Sequence, residues 1–258
     1  MNYQGIENAL VAELKKFIGD KKAIIGISGG LDSAVVASLC ARAIGKENVI
    51  GIMMPYGNQS IRDSEDLIKS IGINCHFINI KDGVDTALSK LPFKVISRLT
   101  NGNLRARERM SILYALAGEL NGLVIGTGNK TEILLGYFTK WGDGGVDIEP
   151  LGNLYKTEVL KLARHLKDIP NDIINKPPSA ELWEGQTDEG EIGMTYVEMD
   201  DILRVFEYTE KTDYAQNRYV LAKKHGNDKV FIIEKRVRES EHKRNPPKTI
   251  IVNKIIYS

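Results

Sequence analysis

The sequence predicts a three-layer α/β fold, a mostly parallel sheet with helices on both faces, and three observations carry that reading. Short apolar runs alternate with helical patterns from residue 5 to about 125. The helical stretches between them are long enough to serve as crossovers between parallel strands. Glycine-rich segments follow directly on apolar runs, where ligand loops leave the carboxyl ends of such strands.

The elements follow in order. A first helix covers about 5–18, with Ile6, Leu10, Leu14 and Phe17 at helical spacing. The strand Ala23–Ile27 leads to an Ala- and Val-rich helix over 33–44 and a strand at Val49–Met53. A helix over about 60–70 precedes a strand at Asn74–Ile78, and a long helix over 104–120 precedes Leu123–Ile125. Beyond 126 the texture changes. Residues 126–153 are dense in glycine and read as a long functional loop, followed by a helix over about 155–167. The polar, Pro- and Gly-containing segment 170–190 reads as a loop that moves or orders on ligand binding. Helices over about 197–208 and 212–224 lead into a basic tail, 229–258. The expectation is one domain over 1–258.

Composition narrows the function classes. The chain has 258 residues, 42% hydrophobic and 27% charged, enough to bury a full core. A net charge of +1 argues against a surface built for polyanions, so no nucleic-acid partner is expected beyond a local patch. Such a patch exists in the tail, where residues 229–248 carry seven Lys/Arg against three acids. Cys40 and Cys75 belong to no CxxC or Cys/His cluster and read as inert thiols of a reducing compartment. No signal peptide or membrane-spanning run is legible, and the expectation is a soluble cytoplasmic protein.

The first chemical motif is Gly26-Ile27-Ser28-Gly29-Gly30-Leu31-Asp32-Ser33, between a buried strand and a helix. Its glycines let backbone approach a phosphate, and the helix start offers unpaired N–H groups and a positive dipole end. It is neither GxxxxGK[ST], since no lysine follows, nor GxGxxG. The second motif, Gly126-Thr127-Gly128-Asn129-Lys130-Thr131-Glu132, follows another strand. Asp32 and Glu132, at the ends of separate strands, are a candidate pair for Mg²⁺, which takes its remaining ligands from phosphate and water.

SGGxDS resembles the signature of the ATP pyrophosphatases, a superfamily of Rossmann-like three-layer folds whose members adenylate a substrate and release pyrophosphate. The later segments resemble one branch, the NAD synthetases. They are Asn103–Met110, GTxNxxE at 126–132, Phe138-Thr139-Lys140-Trp141-Gly142-Asp143-Gly144 and Asp147-Ile148-Glu149-Pro150. Tyr155-Lys156-Thr157, Pro178–Leu182 with Gln186–Glu189, and His242-Lys243-Arg244 complete the series. The matches run in order over about residues 5 to 248. The Gly128-Asn129-Lys130 after Thr127 differs from the common bacterial GTDHxxE, though Glu132 keeps its spacing, and Ser179 stands where many relatives have threonine.

The resemblance implies a C–N ligase that performs the last step of NAD biosynthesis. It would amidate deamido-NAD with ammonia through an adenylated carboxylate and yield NAD, AMP and pyrophosphate. It further implies ATP contacts at Gly26 to Ser33, Thr127, Lys156 and Ser179, and Mg²⁺ at Asp32 and Glu132. Deamido-NAD would meet Arg107, Lys140, Asp147, His242 and Lys243, Lys156 would neutralise charge, and the tail would fold over the dinucleotide. A homodimer is implied too. Asp143 is a candidate for taking the proton from ammonium. Asn2, not a cysteine, follows Met1, and the length leaves no room for an amidase domain, so free ammonia is the expected nitrogen source. Two rivals stand beside this reading: a tRNA-modifying relative, though paired site cysteines are missing, and a non-catalytic nucleotide-binding module, which would not need both acids.

Overall fold

A computed structural model describes residues 1–93, 95–179, 185, 187–208 and 213–250. Helix α1 (Tyr3–Ile18) precedes β1 (Lys22–Gly26), α2 (Leu31–Ile44), β2 (Val49–Met53), α3 (Arg62–Ile71) and β3 (Asn74–Phe77). Then come α4 (Lys81–Ser89), α5 (Arg98–Leu120), β4 (Gly122–Val124), α6 (Lys130–Leu135) and α7 (Lys156–Leu166). The short helices α8 (Asn171–Asn175) and α9 (Asp188–Ile192) lead to α10 (Tyr196–Tyr208), α11 (Tyr214–His225), α12 (Asn227–Glu239) and α13 (Glu241–Arg244).

The strands form one parallel sheet in the order β3-β2-β1-β4. Strand β1 is central, and its alternating side chains divide the interior in two. Ala23, Ile25 and Ile27 join Leu14, Val35, Leu39 and Leu162 on the side of α1, α2 and α7. Ile24 joins Ile50, Ile52, Val124 and Ala117 on the side of α4 and α5. Each buried isoleucine contributes about 1.5–3 kcal/mol relative to an exposed one, so both faces of β1 hold the layers together. A further cluster lies within the C-terminal helices, where Met199, Ile202 and Leu203 of α10 meet Leu221, Val230 and Ile233.

The three-layer α/β expectation is met, and four local differences have physical causes. Helix α5 begins at Arg98, ahead of the expected 104. Ser97 caps it by accepting from the Thr100 N–H at 3.1 Å, and tertiary packing overrides the weak helix formers Asn101, Gly102 and Asn103. Helix α4 went unread because it is short and buries only Val84. The 126–153 loop contains α6, started by a capping box in which Asn129 and Glu132 satisfy each other's backbone N–H groups. The basic tail is largely helical up to Arg244: α12 buries Val230 and Ile233, and α13 follows. Within the 170–190 loop, Ala180–Glu184 and Gln186 lie outside the described residues, as do tail residues 251–258.

The carboxyl edge of the sheet is extended beyond β4. Ile125 bridges Ile148 in parallel fashion, Asp147 N–H donates to the Val124 carbonyl, and Gly126 N–H donates to that of Ile148. The far end of the 126–153 segment therefore returns to the strand ends from which it departed.

Candidate active site

The carboxyl ends of β1, β2 and β4 open into a cleft of about 1220 Å³. One wall is the turn from β1 into α2. Gly29 adopts φ +78°, a left-handed conformation, and a Cβ there would lie 3.2 Å from the Ser64 backbone nitrogen. Ser28 Oγ accepts from the Gly30 N–H at 3.2 Å and lies 3.2 Å from Ser33 Oγ, which donates to the Gly30 carbonyl at 3.0 Å. Gly30 is the N-cap of α2, and no side chain caps the helix. Its first turn thus presents backbone N–H groups and the positive end of its dipole to the cleft.

Facing this turn are Lys156 and Glu132, which meet Asp32 from the first turn of α2. Lys156 is the first residue of α7 and is 6% exposed. Its ammonium contacts the Asp32 carboxylate and lies 3.4 Å from Glu132 Oε1. Asn129, fully buried, donates to the other Asp32 oxygen at 3.3 Å. Burial raises the Glu132 pKa and the nearby Asp32 adds to that rise, while Lys156 opposes it. Burial alone would discharge Lys156, but the carboxylates of Asp32 and Glu132 outweigh it and hold the ammonium above its ordinary range. The Tyr196 ring lies 5.4 Å from the Lys156 nitrogen, and the Tyr196 hydroxyl donates to Asp188 at 2.8 Å.

The other residues singled out in the sequence fall into two sets. Thr127, Ser179, Asp143 and Lys243 line the same cleft. Lys243 donates to the carbonyls of Gly136 and Phe138 at 2.6 and 2.7 Å, and Asp143 accepts from the Thr139 N–H at 2.9 Å. Surrounding protein raises the Asp143 pKa although its side chain stays open to solvent. Arg107, Lys140, Asp147 and His242 lie outside the cleft lining. Arg107 donates to the Lys140 carbonyl at 3.4 Å, and Lys140 reaches the His242 carbonyl, so these three are neighbours. Asp147 sits apart, accepting from the Val124 N–H at 2.8 Å and from the Tyr114 hydroxyl at 3.2 Å.

Comparison with known proteins decides the family. The NAD synthase family model matches residues 2–247. The NH(3)-dependent NAD(+) synthetase of Methanosarcina acetivorans is 44% identical over 255 residues, covering 96% of this chain and 98% of that one. The chain belongs to the NAD synthase family. Among solved structures, the NMN synthetase of Francisella tularensis is 35% identical with a TM-score of 0.82, covering 97% of this chain and 99% of that chain. The NH3-dependent NAD synthetase of Campylobacter jejuni, in complex with nitrate, is 29% identical with a TM-score of 0.79, covering 97% and 100%. The NAD synthase family uses ATP as co-substrate.

Sequence reasoning missed several residues in and behind the wall of this NAD synthase cleft. Asn129 was legible only as a departure from the bacterial motif, yet it both caps α6 and holds Asp32. Glu149, met only as a letter of the motif, accepts from the Gly128 N–H at 2.8 Å, and burial pushes its carboxyl up to about 8, with Glu132 and Asp143 adding to the rise. Asp200 and Thr131 give no sequence signal at all, because their partners lie 69 and 25 residues away. Cys40 is buried, and burial pushes its thiol up to about 12, in keeping with an inert thiol. Among the described residues no helix is long and apolar enough to cross a membrane.

Proposed function

We propose that this chain is an ammonia-dependent NAD synthetase working at the cleft between α2 and α7. The observation that carries the reading is the Lys156 ammonium held against Asp32 and Glu132, opposite an uncapped helix start. ATP lies with its phosphates on Gly26 to Ser33, where backbone N–H groups replace lost hydration. Thr127, Lys156 and Ser179 supply its further contacts. A carboxylate oxygen of deamido-NAD attacks the α-phosphorus, the bond to the β-phosphate oxygen breaks, and pyrophosphate leaves. Lys156 neutralises charge that grows on the departing pyrophosphate. Ammonia then attacks the acyl carbon, AMP departs with the carboxylate oxygen, and the nitrogen loses a proton to give the amide. Asp143, accessible in the cleft and raised in pKa, takes the proton from ammonium.

The donor set fits Mg²⁺. Two hard carboxylate oxygens from Asp32 and Glu132 already converge on one cation, Lys156 Nζ. Mg²⁺ keeps water and phosphate among its ligands, so two protein carboxylates would suffice to hold it. When bound, the ion would neutralise the polyphosphate. Arg107, Lys140, Asp147, His242 and Lys243 bind deamido-NAD. Arg107, Asp147 and His242 face solvent in a single chain, where a homodimer would cover them.

The test is pyrophosphate release from ATP with Mg²⁺, deamido-NAD and ammonium, each omitted in turn. Release should require deamido-NAD, and NAD should form with ammonium but not with glutamine. Because a structural neighbour is an NMN synthetase, nicotinate mononucleotide is the second acid to assay. Preference for it would keep the chemistry and replace the substrate; no release with either acid would refute the reading.

A further inference from the structure

Asp200 lies on α10, outside the cleft wall, and is 2% exposed. A carboxylate this deep is retained only where its oxygens are satisfied. One Asp200 oxygen accepts from the Thr131 hydroxyl at 2.5 Å, and the other accepts from the Thr157 N–H at 2.9 Å. The Thr131 oxygen in turn accepts from the Lys156 N–H at 3.0 Å. Thr131 is itself fully buried.

The placement of these bonds matters more than their number. Thr131 directly precedes Glu132 on α6, and Lys156 and Thr157 are the first two residues of α7. One carboxylate from a third helix therefore fastens the backbone that carries Lys156 to the backbone that carries Glu132. Each link is one hydrogen bond long. The Lys156 ammonium and Glu132 oxygen, 3.4 Å apart, hang directly from the two fastened segments. A helix start also favours an anion, so Asp200 occupies the α7 dipole end that a phosphate would otherwise attract.

We propose that Asp200 and Thr131 form an internal clamp that sets the spacing between Lys156 and Glu132. They are positioning residues for the metal–phosphate site and touch neither substrate. The clamp rests on the reading of Asp32, Glu132 and Lys156 as that site. A plain capping role would affect folding alone, whereas a clamp also affects the geometry of charge neutralisation.

The experiment uses Thr131→Val, Thr131→Ser and Asp200→Asn in the full chain. Melting temperature, kcat, KM for each substrate, and Mn²⁺ binding by electron paramagnetic resonance with a non-hydrolysable ATP analogue are measured on folded protein. T131V and D200N should fold yet lose about 10- to 100-fold in kcat, the range expected when a reacting group is misplaced by about 1 Å. Mn²⁺ binding should weaken with them while KM for the acid substrate stays put, and T131S should restore both. A lowered melting temperature with wild-type kcat and Mn²⁺ affinity would overturn the clamp. Failure of both T131V and D200N to fold would also overturn it, since the pair would then be a folding element. Failure of the underlying site reading is separately visible: wild-type protein would bind no Mn²⁺ and Lys156→Met would keep its turnover.

Discussion

The N-termini of α2 and α7 face one cleft, and they are finished in opposite ways. Helix α2 starts at a glycine cap with no side chain on its N–H groups. In α7, the Lys156 and Thr157 N–H groups are taken by Thr131 and Asp200. The first leaves its dipole for a ligand. The second spends its dipole internally and presents a lysine in its place. A helix start is a diffuse partial charge, whereas an ammonium is a full charge at one point. On the proposed reading the two helix starts divide the work: α2 would receive phosphate through backbone, and α7 would aim one positive charge whose foundation must not shift.

The largest expected effect breaks the α7 side. Lys156→Met removes the cation from two half-buried acids, and turnover should fall about 10²-fold or more. Removing one partner of a buried pair costs about 3–5 kcal/mol, but Glu132 can take up a proton, so denaturant titration should find the lower end. Turnover near wild type would show that the two helix starts do not share the work.

A smaller effect comes from the α2 side. Gly29→Ala places a Cβ at φ +78°, 3.0 Å from Asp63 Cβ and 3.2 Å from the Ser64 nitrogen. The left-handed conformation alone costs about 1–2 kcal/mol. KM for ATP should rise with KM for the acid substrate unchanged. Equal changes in both constants would mean that the turn is not a dedicated phosphate seat.

The smallest effect sharpens the comparison by removing a charge that belongs to neither helix. The Glu149 carboxyl is pushed up to about 8 by burial, well above that of an unfolded glutamate. Its contribution to stability is therefore full below the unfolded value and is lost as pH rises through about 8. Glu149→Gln keeps an acceptor for the Gly128 N–H and removes the ionisation. Without metal or nucleotide, the melting temperatures of variant and wild type should coincide more closely near pH 5 and diverge by pH 9, with the variant higher. A constant difference across that range would place the carboxyl in a more solvated setting.

Much of this comparison was legible in the chain. The Ser28–Ser33 turn is local: an apolar strand, two glycines and a helix are written in consecutive letters, and each imposes its conformation on short-range grounds. Strand β2 spans Val49–Met53 as expected, because a run of apolar residues between crossovers has few alternatives. Helix α12 was harder to see. Its basic residues suggest a solvated tail, and only the partners of Val230 and Ile233 on α10 and α11 make it a packed helix.

By itself the sequence determined the α/β alternation, the glycine turn and the motif that places the chain in its family. These depend on residue type and on neighbours a few positions away. Only the tertiary structure decided that Asp32, 124 residues before Lys156, meets its ammonium, and that Asn129 holds the same carboxylate. It also decided that Asp200 fastens Thr131 to the start of α7. A buried charge or polar group is selected by the partner that satisfies it, and the partner's distance in space is not encoded in its distance along the chain.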